Sequence, residues 1–385
     1  MDNQKKAQKK RQHYVPQFYL RNFSKDEHYI YIYNLKSGKI EEGPISRTCE
    51  KKYFYGKDDE FENILERIET DHSKIIHNIL KQNIPPIQNS VDHFKLLSFL
   101  LLQKSRTRSE RDIVNSYGDV FCSKYLKPAM KSILKKREVE KNKINRYKIL
   151  MDLEDFYKYN VLDSLHDFIA ISDLQLGILI NNSKIPFITS DCPVVYNNRI
   201  NFDEYFTALF SPGLQIHCPL SPNHYLLLFD PQFYSIDPGK KITDRDVDRL
   251  NGLQLLNSHT ILILPANVSA IYIERLKEKF DYKKLRKKPK IKTIKSEKLD
   301  DGSRSDIDIL TIEKANAHMN FQFLSFNYNL YKSFKIQYAE EKKANPFFRF
   351  VRNPNLVRDH YEYREMISRK INGNNRNNTE DEFLE

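Results

Sequence analysis

The chain has no tryptophan, only ten glycines and four cysteines, and no long apolar run. With so few glycines, none set in a phosphate-cradling loop, neither a P-loop nor a Rossmann turn is expected. Cys49, Cys122, Cys192 and Cys218 are scattered without a CxxC pair, so neither a zinc site nor a disulfide framework is indicated. That pattern fits a reducing cytoplasm, the expected location. The run Leu96–Leu102, with Ser98 inside it, and the shorter Ile261–Leu264 fall far below a bilayer span, so no membrane partner is expected. The basic leader MDNQKKAQKKRQ has no apolar region after it and does not read as a secretory signal. HxxxH, HExxH and clustered Asp pairs are all missing, and His217 and Cys218, adjacent in a strand, point to opposite faces. The cofactor is therefore unassigned, with a divalent metal left open. The missing tryptophan excludes nothing: 23 Tyr and 24 Phe within 40% apolar residues can fill a core.

What is present points to polyanions. A formal charge of +12 over 385 residues favours nucleic acid first and an anionic surface second. The alternative is a basic surface from a Lys-rich composition. The length suggests one large domain with appendages, or two domains.

Along the chain, residues 1–12 read as a disordered basic arm and 13–265 as a main α+β domain. A basic accessory region, 266–372, and a disordered tail, 373–385, follow. His28–Tyr33, a turn at Ser37-Gly38-Lys39 and Ile40–Ile45 predict a β-hairpin, extended by Tyr53–Gly56. A helical stripe runs from Asp58 to about Lys81, and a second helix from Val91 to about Val114, on which Gln103 and Arg106 should point inward. Residues 117–150 read as charged helix and Phe156–Ile171 as helix. Leu174–Ile180, Ile185–Thr189, Pro193–Tyr196, Gln215–Leu220 and Tyr225–Phe229 are expected strands. Asp244 is the expected N-cap of a helix to Ser258. The fold class is α+β: an N-terminal hairpin, a helical group, then an antiparallel sheet, with a basic C-terminal extension.

The stretch with most chemistry is His13-Tyr14-Val15-Pro16-Gln17-Phe18-Tyr19-Leu20-Arg21-Asn22-Phe23. Pro16 suits the first turn of a helix, which places Gln17 and Arg21 one turn apart on one face, with His13 just ahead of it. Arg67 and His72 have the Arg-x4-His spacing of HEPN ribonucleases, but Ile68 follows the arginine and His72 lies on the apolar stripe, which favours a core role.

Five segments in order, within about residues 11–265, resemble the bacterial family called domain of unknown function 4238. They are His13–Arg21, a helix with Glu66 and Glu69, Gln103 with Arg106-Thr107, Ser190-Asp191-Cys192-Pro193, and Pro219-Leu220-Ser221-Pro222. The resemblance implies a shared fold and a shared site, without an activity. It also suggests a setting, a mobile-element, toxin or phage-defence system, that no residue here indicates.

These segments assemble a candidate site. His13, Asp191, Glu69 and Gln103 are the candidate catalytic residues, and Gln17, Arg21, Arg106, Lys287, Lys288 and Lys290 the candidate substrate-binding ones. Asp191, at a strand end beside Pro193, suits a general base, a metal ligand or an arginine partner; the alternative is an Asp bonding its own turn. His13 suits an acid/base, or a cap on a buried carbonyl. Arg21 and Arg106 suit a phosphate clamp, or a buried network with Glu69 and Asp191. The lysines between 283 and 298 read as a nucleic-acid contact or a solvated linker, and Phe347–Arg352 as a stacking surface or a docking strip. The expected function is a nucleic-acid-processing enzyme, a phosphodiester hydrolase or nuclease-like effector. The alternative is a non-catalytic nucleic-acid- or protein-binding module whose polar cluster is structural.

Overall fold

A computed structural model describes residues 10–57, 59–136, 153–200, 208–237, 239, 241–282, 290–294, 307–311, 319–345 and 348–380. The first strand, β1 (Arg11–His13), leads through Pro16 into the short helix α1 (Gln17–Arg21). The hairpin follows as β2 (Tyr29–Asn34) and β3 (Ile40–Pro44), turning where Gly38 adopts a φ of 70° that side-chain-bearing residues resist. The aromatic stretch expected to extend the hairpin does not. Instead β4 (Glu50–Lys52), just ahead of it, pairs with β1 and sets His13 opposite Glu50. Arg11 and Gln12, assigned to a disordered arm by sequence, are therefore in a ladder.

Helix α2 (Glu60–Gln82) ends at Asn83, whose left-handed conformation lets its N–H bond the Ile79 carbonyl. The helix expected over 91–114 is two. α3 (Val91–Ser105) stops at Arg106, and Thr107, in extended backbone, caps α4 (Arg108–Phe121) by accepting the Glu110 N–H. A π-turn leads to α5 (Lys127–Lys136); the rest of the expected charged helix lies outside the described residues. α6 (Glu154–Asp163) tightens into a 3-10 segment, Ser164–Ile171.

Strands β5 (Gln175–Ile180), β6 (Thr189–Ser190), β7 (Val195–Asn198), β8 (Leu214–Ser221), β9 (His224–Phe229) and β10 (Tyr234–Ile236) follow. Helix α7 (Asp244–Asn257) is capped by Thr243, not Asp244. Asp246 returns a bond to the Thr243 N–H, a reciprocal cap that Asp244 is one residue too late to make. Then come β11 (Ile261–Leu264), α8 (Ala270–Lys279), β12 (Lys290–Ile294), β13 (Ile307–Thr311), β14 (Leu324–Phe326), α9 (Tyr328–Ala344) and α10 (Pro354–Glu380). The last helix continues past Asn372, into the stretch where the sequence suggests disorder.

The architecture is α+β with antiparallel sheets. One four-stranded sheet runs β5-β9-β8-β7 and another β3-β2-β11-β6. Every residue of β8 is buried, because the first sheet is covered on both faces. Leu214, Ile216, Cys218 and Leu220 pack with α2, α3 and the His13–Phe23 stretch. Leu227, Phe229 and Val195 pack with α7 and with Phe321, Phe323 and Leu324. The second sheet packs Leu262 and Leu264 against Leu255, Ile273 and Leu276.

Residue 265 is therefore no packing boundary. β14 pairs with β10, and the Arg352 guanidinium binds both oxygens of Asp173 at 2.9 and 2.7 Å and the carbonyls of Ala170, Leu209 and Ser211. The segment around Phe350 is a docking strip: Phe350 packs on Phe334 and Tyr338.

Two histidines inside this core carry a pH consequence. Burial first, then the Arg106 charge, holds His72 neutral and lowers its pKa to about 4; burial alone lowers that of His217 to about 3. The unfolded chain protonates these rings near the ordinary value of about 6.5. Stability is thus fully present above that pH and lost as pH falls from there through about 4, by about 3 kcal/mol from His72 alone. Urea midpoints at pH 7 and pH 4.5 check this, and His72→Phe is expected to flatten the slope. An unchanged slope would show that His72 is not protonated differently in the two states.

Candidate active site

β1 places its side chains alternately. Gln12 turns inward, donating to the Gly56 carbonyl at 3.1 Å and accepting from the Tyr55 N–H at 2.6 Å. Arg11 and His13 turn outward onto a cleft of about 520 Å³. α1 continues that wall. Its buried side carries Tyr19 and Leu20; its other side puts Gln17 and Arg21 over the same cleft. The opposite wall is one face of α2, where Glu62, Glu66 and Glu69 succeed one another at spacings of four and three, followed by Thr70 and Ser73. Cationic and amide groups thus face carboxylates across open space.

Under this surface lies a hydrogen-bonded floor that holds His13 in place. Gln103 donates to the Tyr14 carbonyl at 3.1 Å. Arg106, 1% exposed, donates to the His13 carbonyl at 2.6 Å, to Glu69 at 2.6 Å and to the Tyr55 hydroxyl at 3.3 Å. Burial alone would lower its pKa, but the Tyr55 oxygen and the Glu69 carboxylate more than offset that and hold it charged. The two carbonyls just ahead of Val15-Pro16 are thus held by one turn of α3 and its end. Tyr19 anchors the other side, donating to the Pro219 carbonyl at 2.5 Å and meeting the Thr189 hydroxyl at 2.8 Å.

His13 is half-buried, and its pKa is lowered. Burial dominates; Glu69 and Glu50 oppose it, while Arg106 adds to it. The ring is therefore a neutral base near pH 7, and its Nε2 has no hydrogen-bond partner among the described residues. Arg21 is exposed and makes no side-chain ion pair among the described residues.

The expected site residues divide accordingly. His13, Gln17, Arg21 and Glu69 come together on the cleft. Gln103 and Arg106 lie beneath it, engaged by the protein's own carbonyls; Arg106 is too deep to clamp a substrate phosphate, and Gln103 has no access to one. Asp191 is not on the cleft. Wholly buried, its carboxylate accepts the N–H groups of His259 (2.7 Å), Thr260 (2.7 Å) and Ile261 (3.3 Å) and the Thr260 hydroxyl (2.7 Å). It pins the start of β11 to β6 and has no face left for a metal or substrate. The turn it serves is not its own, as the sequence alternative had it, but one far along the chain. Lys287 and Lys288 lie outside the described residues. Lys290 begins β12.

Arg67 and His72 do not form a ribonuclease pair. Arg67 is exposed, its Nε on the Asn63 carbonyl, whereas His72 packs edge-on against Phe99 in the core. Among the described residues no three His, Cys, Asp or Glu are grouped to hold a metal ion, and no helix is long and apolar enough to cross a membrane. Sequence reasoning missed Arg11, Ser46 and Glu62 as lining residues. The spacing of Glu62, Glu66 and Glu69 opposite the apolar stripe of α2 was the signal that could have found the acidic wall.

The resembling segments now have physical roles: the His13 strand and helix, the Glu wall, the Gln103–Arg106 floor, the Asp191 latch, and the β8–β9 turn that receives Tyr19. No curated protein and no solved structure matches the chain. A family model does, over residues 11–264, and the chain belongs to the family described as protein of unknown function (DUF4238).

Proposed function

We propose that the cleft is a hydrolytic active site acting on phosphodiester linkages of nucleic acid. The observation that carries this reading is His13: a neutral imidazole on a residue that lines a polar cleft, its Nε2 buried just behind that wall without a partner among the described residues and its backbone clamped by Arg106. In this reading the ring turns its Nε2 into the cleft and takes the proton of the attacking hydroxyl or water as that oxygen bonds phosphorus. The imidazolium returns the proton to the departing oxygen as its P–O bond breaks, and Arg21 offsets the charge on the phosphate. Gln17 orients the substrate by its amide. Glu69, fixed by Arg106, supports the imidazolium as it forms. The net charge of +12 favours such a substrate at long range. A phage-defence or toxin setting would suit an enzyme of this kind.

The test incubates wild type and His13→Ala with total RNA, tRNA and plasmid DNA, each with magnesium, manganese or EDTA. Loss of an acid/base group is expected to slow cleavage by at least about a hundredfold, with the melting temperature as the folding control. Equal rates in the two proteins, or no cleavage by wild type under any condition, would reject the reading.

A second reading, a non-catalytic binding module, is favoured by one observation: Gln103, Arg106 and Asp191 are all engaged by the protein's own backbone. It predicts binding of nucleic acid that weakens steeply with salt, without turnover, and a shallower slope when Lys287, Lys288 and Lys290 are neutralised.

A further inference from the structure

The cleft does not end at Arg21. A second hollow of about 570 Å³ shares Phe18, Arg21 and Ser73 with the first, so the two form one groove between α1 and α2. Between Glu62 and Asn78 the helical rise makes that groove about 24 Å long, which suits a chain of linked units rather than a single small molecule.

The two halves differ in charge. The first is walled by Glu62, Glu66 and Glu69. The second is lined by Arg21, Lys74, His77, Asn22 and Asn78, with Glu27 its one carboxylate. Lys74 is 70% exposed and stands 3.7 Å from Asp71, which Lys95 already holds at 2.9 Å, so its ammonium is largely free for a ligand. The Glu62–Glu69 wall keeps phosphates off α2 in the first half and leaves them to the His13–Arg21 side and to the basic half beyond it. The carboxylates, Thr70 and Ser73 instead suit sugar hydroxyls and the amino groups of bases.

We infer that the groove past Arg21 is an anion subsite, built from Arg21, Lys74, His77 and the Asn78 amide, which takes a phosphate adjacent to the one beside His13. The inference rests on the hydrolase reading above and narrows its substrate to single-stranded chains carrying at least two phosphates. The nucleoside lies toward Glu62–Glu69 and the neighbouring phosphate toward Lys74.

The test is the affinity of wild type and of the Lys74→Ala/His77→Ala double variant for phosphorothioate oligonucleotides. A dinucleoside carrying one linkage is compared with the chain carrying one more phosphate. Both substituted side chains are exposed, so an unchanged melting temperature is the folding control. Wild type is expected to gain about tenfold in affinity with the added phosphate, as for a charge-assisted hydrogen-bonded contact, and the double variant to lose that step. The same step in both proteins, or none in wild type, overturns the subsite. Cleavage by wild type without the step leaves the hydrolase reading standing and removes the subsite. The step without cleavage under any metal condition supports the subsite and removes the hydrolase.

Discussion

Asp191→Ala is expected to lower stability by about 3–5 kcal/mol, the scale for removing the charged partner of a buried cluster. The substitution leaves three backbone N–H groups, those of His259, Thr260 and Ile261, without an acceptor in a place where the aspartate itself is wholly buried. It also frees the start of β11, which sits between β2 and β6 in its sheet. Asp191→Asn should be only slightly milder, because its amide NH2 would face N–H donors where an oxygen stood. The measurement is the urea midpoint, with hydrogen exchange at residues 259–261 as the local probe. A loss below about 1 kcal/mol with protection intact would mean that the latch is not structural. Activity lost at unchanged stability would return Asp191 to the catalytic list.

Arg106→Met is the second large effect, again about 3–5 kcal/mol. It deprives the His13 carbonyl, Glu69 and the Tyr55 hydroxyl of one shared donor. Arg106→Lys should recover only part of this, since a point charge cannot serve three acceptors set around a planar fork. Pairing the change with Glu69→Gln closes a double-mutant cycle, where a coupling of about 0.5–3 kcal/mol is expected for residues in one network. Additive effects would mean that the Arg106–Glu69 pair contributes nothing of its own. Any hydrolytic activity should fall in the Arg106 variants as well, through a displaced His13 strand and not through lost substrate contact.

Several features were legible from local pattern. The period of α2, the Gly38 hairpin, the helical start after Pro16 and the shared face of Gln17 and Arg21 all depend on residues within a few positions of one another. The helix break after Ser105 was missed although Thr107-x-x-Glu110 is a local capping signature, because the inward-facing pattern of α3 runs straight into that of α4. The strand β1 itself was hidden in a basic leader, since its partner β4 lies about forty residues on and pairs through backbone groups that any residue carries. The packing of later segments across residue 265 was not legible for a similar reason. Nothing near Phe321, Phe323 and Arg352 in the chain names the sheet face and the Asp173 carboxylate that receive them.

By itself the sequence determined which short elements the candidate residues ride on: His13 ahead of a helix, Gln17 and Arg21 on one side of it, Glu66 and Glu69 on α2. Only the tertiary structure decided which of them meet open space. Arg21 and Asp191 are both ionisable residues beside apolar segments, yet one projects over a cleft while the other bonds groups 68 to 70 positions away. A buried charge must be matched by donors or acceptors brought from elsewhere in the chain, and no local pattern records where those come from.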